Sequence, residues 1–261
     1  MKRVILSIAA LVAFITTALA QELTPVPVTS NDFRARAEGS FEWEVVKDLS
    51  LEAGLQLRLN NDLGSVDCFH TSLGLEYDLG DHFTLGAEYI LINSYKSDKK
   101  VWDKPRHRIN VNVGAGVDIG RFELSIRERL QTTCRTDSVN RYEKPKCELI
   151  LRSRLMAQYN IRHSKWSPYL FYELHNTLNA PAVTWNYKTD PFEYDNYITR
   201  HRVGLGTKYR ISRNHRLEFF YYFDYDSKID IGYRANKGHL KSYEQKNEFR
   251  HTFGVSYKFK L

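Results

Sequence analysis

The chain has 261 residues, with 38 Lys and Arg against 31 Asp and Glu and a formal net charge of +7. Lys2 and Arg3 precede an apolar run from Val4 to Ile15 and then Ala18-Leu19-Ala20, the pattern of a signal peptide cleaved after Ala20. The 36 bases that remain are too few and too scattered for nucleic acid, and no later apolar run is long enough for a membrane-crossing helix.

After the signal peptide (1–20), residues 21–31 carry Pro25 and Pro27 and read as an extended lead-in. From residue 32 to 261 the chain alternates with a period of two, the signature of strands with one apolar and one polar face. Phe33, Ala35, Ala37, Phe41, Trp43 and Val45 oppose Arg34, Arg36, Glu38, Ser40, Glu42 and Glu44. After a turn at Lys47-Asp48, Leu51, Leu55, Leu57 and Leu59 oppose Glu52, Gln56 and Arg58. A third strand (67–79) opposes Leu73, Leu75 and Tyr77 to Ser72 and Glu76, and a fourth (83–95) carries Phe83, Leu85, Tyr89 and Leu91 on one face.

The pattern continues with Ile109, Val111 and Val113 against Arg106 and Arg108 (105–119), then Phe122, Leu124 and Ile126 against Glu123, Arg127 and Arg129 (121–131). Segments 146–160 and 166–178 set Leu149, Leu151, Leu155, Leu170 and Tyr172 against Arg152, Arg154, Glu173 and His175. Segments 197–211 and 215–227 set Val203, Leu205, Leu217, Phe219 and Tyr221 against Arg200, Arg202, Glu218 and Asp224. The last strand, Asn247 to Leu261, opposes Phe249, Phe253, Val255, Tyr257 and Phe259 to Arg250, Thr252, Lys258 and Lys260.

Short connections near 47, 79–81, 120, 162–165 and 212–214 alternate with longer polar ones at 60–67, 96–105, 132–146, 179–196 and 228–246. Repeated strands without helices, short turns at one end and long loops at the other predict an all-β fold. It is a single antiparallel transmembrane β-barrel of 10–12 strands, with its turns in the periplasm of a Gram-negative cell and its apolar faces on lipid. Seventeen Tyr, fourteen Phe and four Trp suit the aromatic girdles of such a barrel. Eleven strands are countable. An even count requires the 21–32 segment to return through the lumen or form an extra strand, or one segment to be misassigned.

The motifs Asp32-Phe33, Arg106-His107-Arg108, Leu151-Arg152-Ser153-Arg154-Leu155, Ser167-Pro168-Tyr169, His201-Arg202-Val203-Gly204-Leu205-Gly206 and Tyr257-Lys258-Phe259 follow one another across residues 32–261. In this order they resemble the domain-of-unknown-function 2490 family of bacterial outer-membrane barrels. The resemblance implies a porin-like barrel in the outer membrane and supplies no activity.

Strand direction gives each inward charge a height. Arg34, Arg36, Arg58, Arg106, Arg108, Arg127, Arg129, Arg200 and Arg202 fall in the outer half, with Arg152 and Arg154 near the middle. Glu42, Glu44, Glu52, Glu76, Glu123 and Glu218 fall in the periplasmic half, while Glu173 and Glu248 break the sorting. One reading is structural, with Arg and Glu filling the lumen in paired networks; the other is a cationic vestibule for a small anionic solute, held or passed. Catalytic residues are not recognisable. Ser153 and His201 face outward two strands apart, so a rim-located lipid- or peptide-modifying enzyme is a third reading without a nucleophile frame.

No cofactor or metal spacing occurs. Of three cysteines, Cys134 and Cys147 bracket a hydrophilic loop that a disulfide can close in an exported protein, leaving Cys68 over. The expected partners are outer-membrane lipid and the assembly machinery that reads a C-terminal strand, and the expected state is a monomer.

Overall fold

A computed structural model describes residues 24–261 of the chain; the expected signal peptide lies outside them. Twelve strands form: β1 (Val26–Val46), β2 (Leu49–Asn60), β3 (Ser65–Leu79), β4 (Phe83–Lys96), β5 (Val101–Trp102), β6 (Arg106–Ile119), β7 (Phe122–Arg135), β8 (Cys147–Tyr159), β9 (Trp166–Pro181), β10 (Tyr194–Arg210), β11 (His215–Tyr233) and β12 (Leu240–Lys260). Eleven of them close a barrel. β5 adds only a two-residue rung beside Tyr95 and Lys96 of β4.

The odd count is accommodated by a parallel seam. β1 pairs with β12 in parallel from Val26↔Glu244 to Glu42↔Lys260, and every other ladder in the barrel is antiparallel. No extra strand and no return through the lumen is needed. The ladder starts at Val26, so residues that the sequence assigns to the lead-in already belong to the barrel wall.

Outside, the apolar face of each strand is uncovered. Leu155 is 59 % exposed, Ile109 56 % and Leu170 55 %, in strands that otherwise hydrogen-bond fully on both edges. Leaving this surface in water would cost about 25 cal/mol per Å², so hydrocarbon is the solvent it fits, and the barrel spans a membrane. The reverse arrangement, apolar faces meeting around a dry centre, does not occur: apart from Ile92, the largest fully buried side chains among the described residues are polar or charged, namely Glu173, Asn110, Thr252, Asp224 and Asp226.

At one end the turns are tight. Asp48 (φ 65°) and Gly120 (φ 65°) take the left-handed backbone that such short reversals require. At the other end the strands run beyond the sequence expectation. β11 continues to Tyr233 and β12 begins at Leu240, inside the stretch expected as a loop, because a small aromatic core covers them. Tyr142, Ile231 and Tyr233 are buried there with Tyr187, Phe192 and Leu240, joining the β7–β8, β9–β10 and β11–β12 connections. The Tyr142 hydroxyl donates to the carbonyl of Asp190, and the Tyr233 amide donates to Glu143 at 3.0 Å. The Asn186 amide and the Thr189 hydroxyl hold the Asp190 carboxyl below its usual range.

Candidate functional site: the charged lumen

The period-two alternation that sends leucines outward sends Arg and Glu inward, where they meet across strands. Glu173 on β9 is the hub. It has no solvent exposure and accepts from Arg152 (2.7 Å), Arg154 (2.7 Å) and Arg127 (3.4 Å), with Arg202 at 3.7 Å and His175 Nε2 at 2.7 Å. Beside it, Arg202 forms a two-point pair with Asp224 at 2.5 and 2.9 Å. Four neighbouring guanidiniums surround one carboxylate, so its charge is met by protein groups in place of water.

Nearer the loop end, Asp226 accepts from Arg200 and Arg250, Glu248 accepts from Arg250 (2.5 Å) and Arg34 (2.9 Å), and Arg34 also reaches Asp32 (2.5 Å). Asp32, Asp226 and Arg250 are buried, so this ion-pair network runs along the inner wall formed by β10, β11, β12 and β1. The axial sorting expected from the sequence is therefore incomplete. Asp32, Asp224, Asp226 and Glu248 sit among the outer arginines, and Arg34, Arg200 and Arg202 are neutralised by them. Arg250 stands on the polar face of the last strand as expected, and alternation along β11, which places Asp226 on the inward face beside Asp224, was the signal that could have found Asp226.

Four of the expected arginines lack such partners. Among the described residues, Arg36, Arg58, Arg106 and Arg108 have no carboxylate within 4 Å. Arg106 donates to Ser94 (2.7 Å), Arg108 to Thr133 (3.0 Å) and Arg58 to Gln56, while Arg36 lies 5.6 Å from the centre of the Tyr222 ring. Arg36 and Arg58 are register partners on β1 and β2. Arg129 is an intermediate case, 2.5 Å from Asn112 and 3.9 Å from Glu88.

Two connected cavities occupy the lumen on the turn side of this network. The inner one, about 350 Å³, is lined by Arg36, Arg58, Arg108, Arg127, Arg129, Arg152, Arg154, Arg202 and Lys258, against Glu38, Glu52, Glu88 and Glu218. Adding the buried Glu173 and Asp224 behind them still leaves nine cations facing six carboxylates. The outer one, about 730 Å³, opens at the turn end and includes Glu76, Glu123 and Glu218. Arg127, Arg154, Glu218, Tyr222 and Lys258 line both.

The acidic residues named from the sequence divide into paired and unpaired. Lys258 binds Glu42 (3.0 Å) and Glu52 (2.6 Å), Gln158 donates to Glu123 (2.9 Å) and the Tyr169 hydroxyl donates to Glu218. Glu44 is exposed at the turn end, and Glu76 has no cation within 4 Å among the described residues.

Aromatic rings floor one wall of this space. Arg154 lies 4.2 Å from the centre of the Phe171 ring, and Arg202 4.9 Å from that of Tyr222. Gly204 and Gly254 make room for these rings, since a Cβ at either position would strike Phe171 or Phe220.

Ser153 and His201 are not brought together. Leu174 lies between them in the ladders; Ser153 Oγ donates to Glu128 (2.7 Å), and His201 Nδ1 meets the Tyr172 hydroxyl (2.8 Å). Cys134 and Cys147 are register partners on β7 and β8 and are joined by a disulfide, while Cys68 is a free, buried thiol beside His70.

A family model described as a protein of unknown function (DUF2490) matches residues 36–230. Among solved structures, the chain is similar to the anion-selective porin from Comamonas acidovorans, at 11% identity and a TM-score of 0.36, over 83% of this chain and 56% of that one. It therefore spans little more than half of that porin's length. It is also similar to the NanC porin, at 12% identity and a TM-score of 0.43, over 88% of this chain and 99% of that one. No curated protein matches the sequence.

Proposed function

The chain belongs to the DUF2490 family, and from that premise we propose that its barrel, set in the outer membrane, binds a small anionic solute in the arginine-lined chamber. The observation that carries the reading is the set Arg36, Arg58 and Arg108: three half-buried guanidiniums on one cavity with, among the described residues, no carboxylate within 4 Å. Burying a cation without a counter-charge is expensive, and an anion in the chamber relieves that cost. On the loop side the inward charges of Arg200, Asp226, Arg250, Glu248 and Arg34 are already paired with one another, which confines the cations without carboxylate partners to the chamber and favours holding over passing. The role is binding, not catalysis, in a monomer inserted by way of its C-terminal strand.

Titrating refolded barrel with inorganic phosphate tests this. Saturable binding, weakened at least about tenfold in Arg36→Gln/Arg58→Gln, is the expected result. Planar-bilayer recordings separate holding from passing. Silence fits a binding barrel, whereas steady anion-favouring steps that shrink when Arg106, Arg108, Arg200 and Arg202 become Ser would replace it with a narrow pore.

A further inference from the structure

We propose that the natural ligand is dipolar, an elongated solute with an anionic head and a cationic tail, such as a short peptide with free termini. This rests on the anion-chamber reading and adds to it the second cavity, which that reading leaves without a role. Leaving out the residues common to both cavities, the inner one has six arginines against three glutamates. The outer one has a single lysine, Lys208, against Asp48, Glu76, Asp78, Asp81 and Glu123.

The two ends are also alike in carrying charges outside any ion pair. Arg36, Arg58 and Arg108 have no carboxylate within 4 Å among the described residues, and Glu76, Asp78 and Asp81 have no cation. A simple anion approaching from the turn end must cross this acidic chamber first, where like charge opposes it. A simple cation is drawn to the acids and then repelled by the arginines. A solute carrying both charges, cation trailing, meets opposite charge at each end and leaves neither cluster bare.

The separation sets a length. Ser50 is opposite Glu76 in the ladder and lies eight residues before Arg58 on β2, about 26 Å along the strand and about 20 Å along a barrel axis tilted at about 40°. Long Arg and Glu side chains shorten that gap, so a peptide of about five extended residues, about 17 Å, spans it.

The test compares three probes on refolded wild-type barrel in micelles, at neutral pH and low salt, by calorimetric titration. They are pentaglycine, its N-acetylated form, which is purely anionic, and its C-terminal amide, which is purely cationic. Pentaglycine is expected to bind at least about fivefold more tightly than the acetylated form, with the amide weakest. That preference should vanish in Glu76→Gln/Asp78→Asn, while affinity for the acetylated form holds or rises. Equal affinity for pentaglycine and the acetylated form would overturn the dipolar ligand and leave the anion chamber standing. Binding of neither would remove both, and tightest binding of the amide would reverse the assignment of the chambers.

Discussion

Arg202 and Asp224 face each other across β10 and β11 in a two-point ion pair, Nε to Oδ1 at 2.5 Å and a terminal nitrogen to Oδ2 at 2.9 Å, with both side chains almost wholly removed from solvent. The pair belongs to the Glu173 hub, because the same guanidinium lies 3.7 Å from Glu173. An arrangement of this kind contributes little net stability when whole and costs much when halved.

Asp224→Ala is therefore expected to destabilise the barrel by about 3–5 kcal/mol. The double change Asp224→Ala/Arg202→Met should recover most of that loss, since no unpaired charge remains. Denaturant unfolding in micelles, followed by tryptophan fluorescence, measures both. A double variant no better than the single one would show that the pair does more than neutralise.

The fit of rings against glycine on the inner wall gives a second expectation. Gly254→Ala places a methyl group against the Phe220 ring, and such overpacking costs about 1–3 kcal/mol. Phe220→Leu in the same chain should return part of it. Unfolding midpoints of the two variants decide the point.

On the lipid side, Glu128 accepts from Ser153 within the apolar belt. A carboxylate there is unfavourable, so Glu128→Leu/Ser153→Ala is expected to raise stability by about 1–2 kcal/mol in lipid. An unchanged or lowered midpoint in phospholipid vesicles would mean that the pair is covered by something other than hydrocarbon.

The disulfide closes the β7–β8 connection at the base of the aromatic cap. Cys134→Ser/Cys147→Ser should cost about 3 kcal/mol by the chain-entropy account and expose the connection to trypsin after Arg141. Proteolysis of intact and variant barrels, read by mass spectrometry, checks the site of cleavage.

Much of the architecture was legible because strand alternation is local. Leu55 and Gln56, or Leu155 and Arg154, point opposite ways whatever the rest of the chain does. The strand ends at the loop side were not legible. Tyr233 and Leu240 stay in strand because Tyr142, from a connection about 90 residues away, covers them, and polar spacing alone reads as loop. Inward Arg and Glu could be named one by one, and Arg250 stands on the polar face of the last strand, but its pairing with Asp226 depends on how β11 and β12 align.

What the sequence determined by itself is therefore the side each residue takes, lipid or lumen, since a two-residue period needs no partner to define it. Only the tertiary structure decided who neighbours whom: that β1 closes on β12 in parallel, that Glu173 collects its arginines, and that Arg36, Arg58 and Arg108 are left over. The physical reason is register. Which charges cancel depends on how strands far apart in the chain align along the barrel, and that alignment is set by closure of the whole sheet.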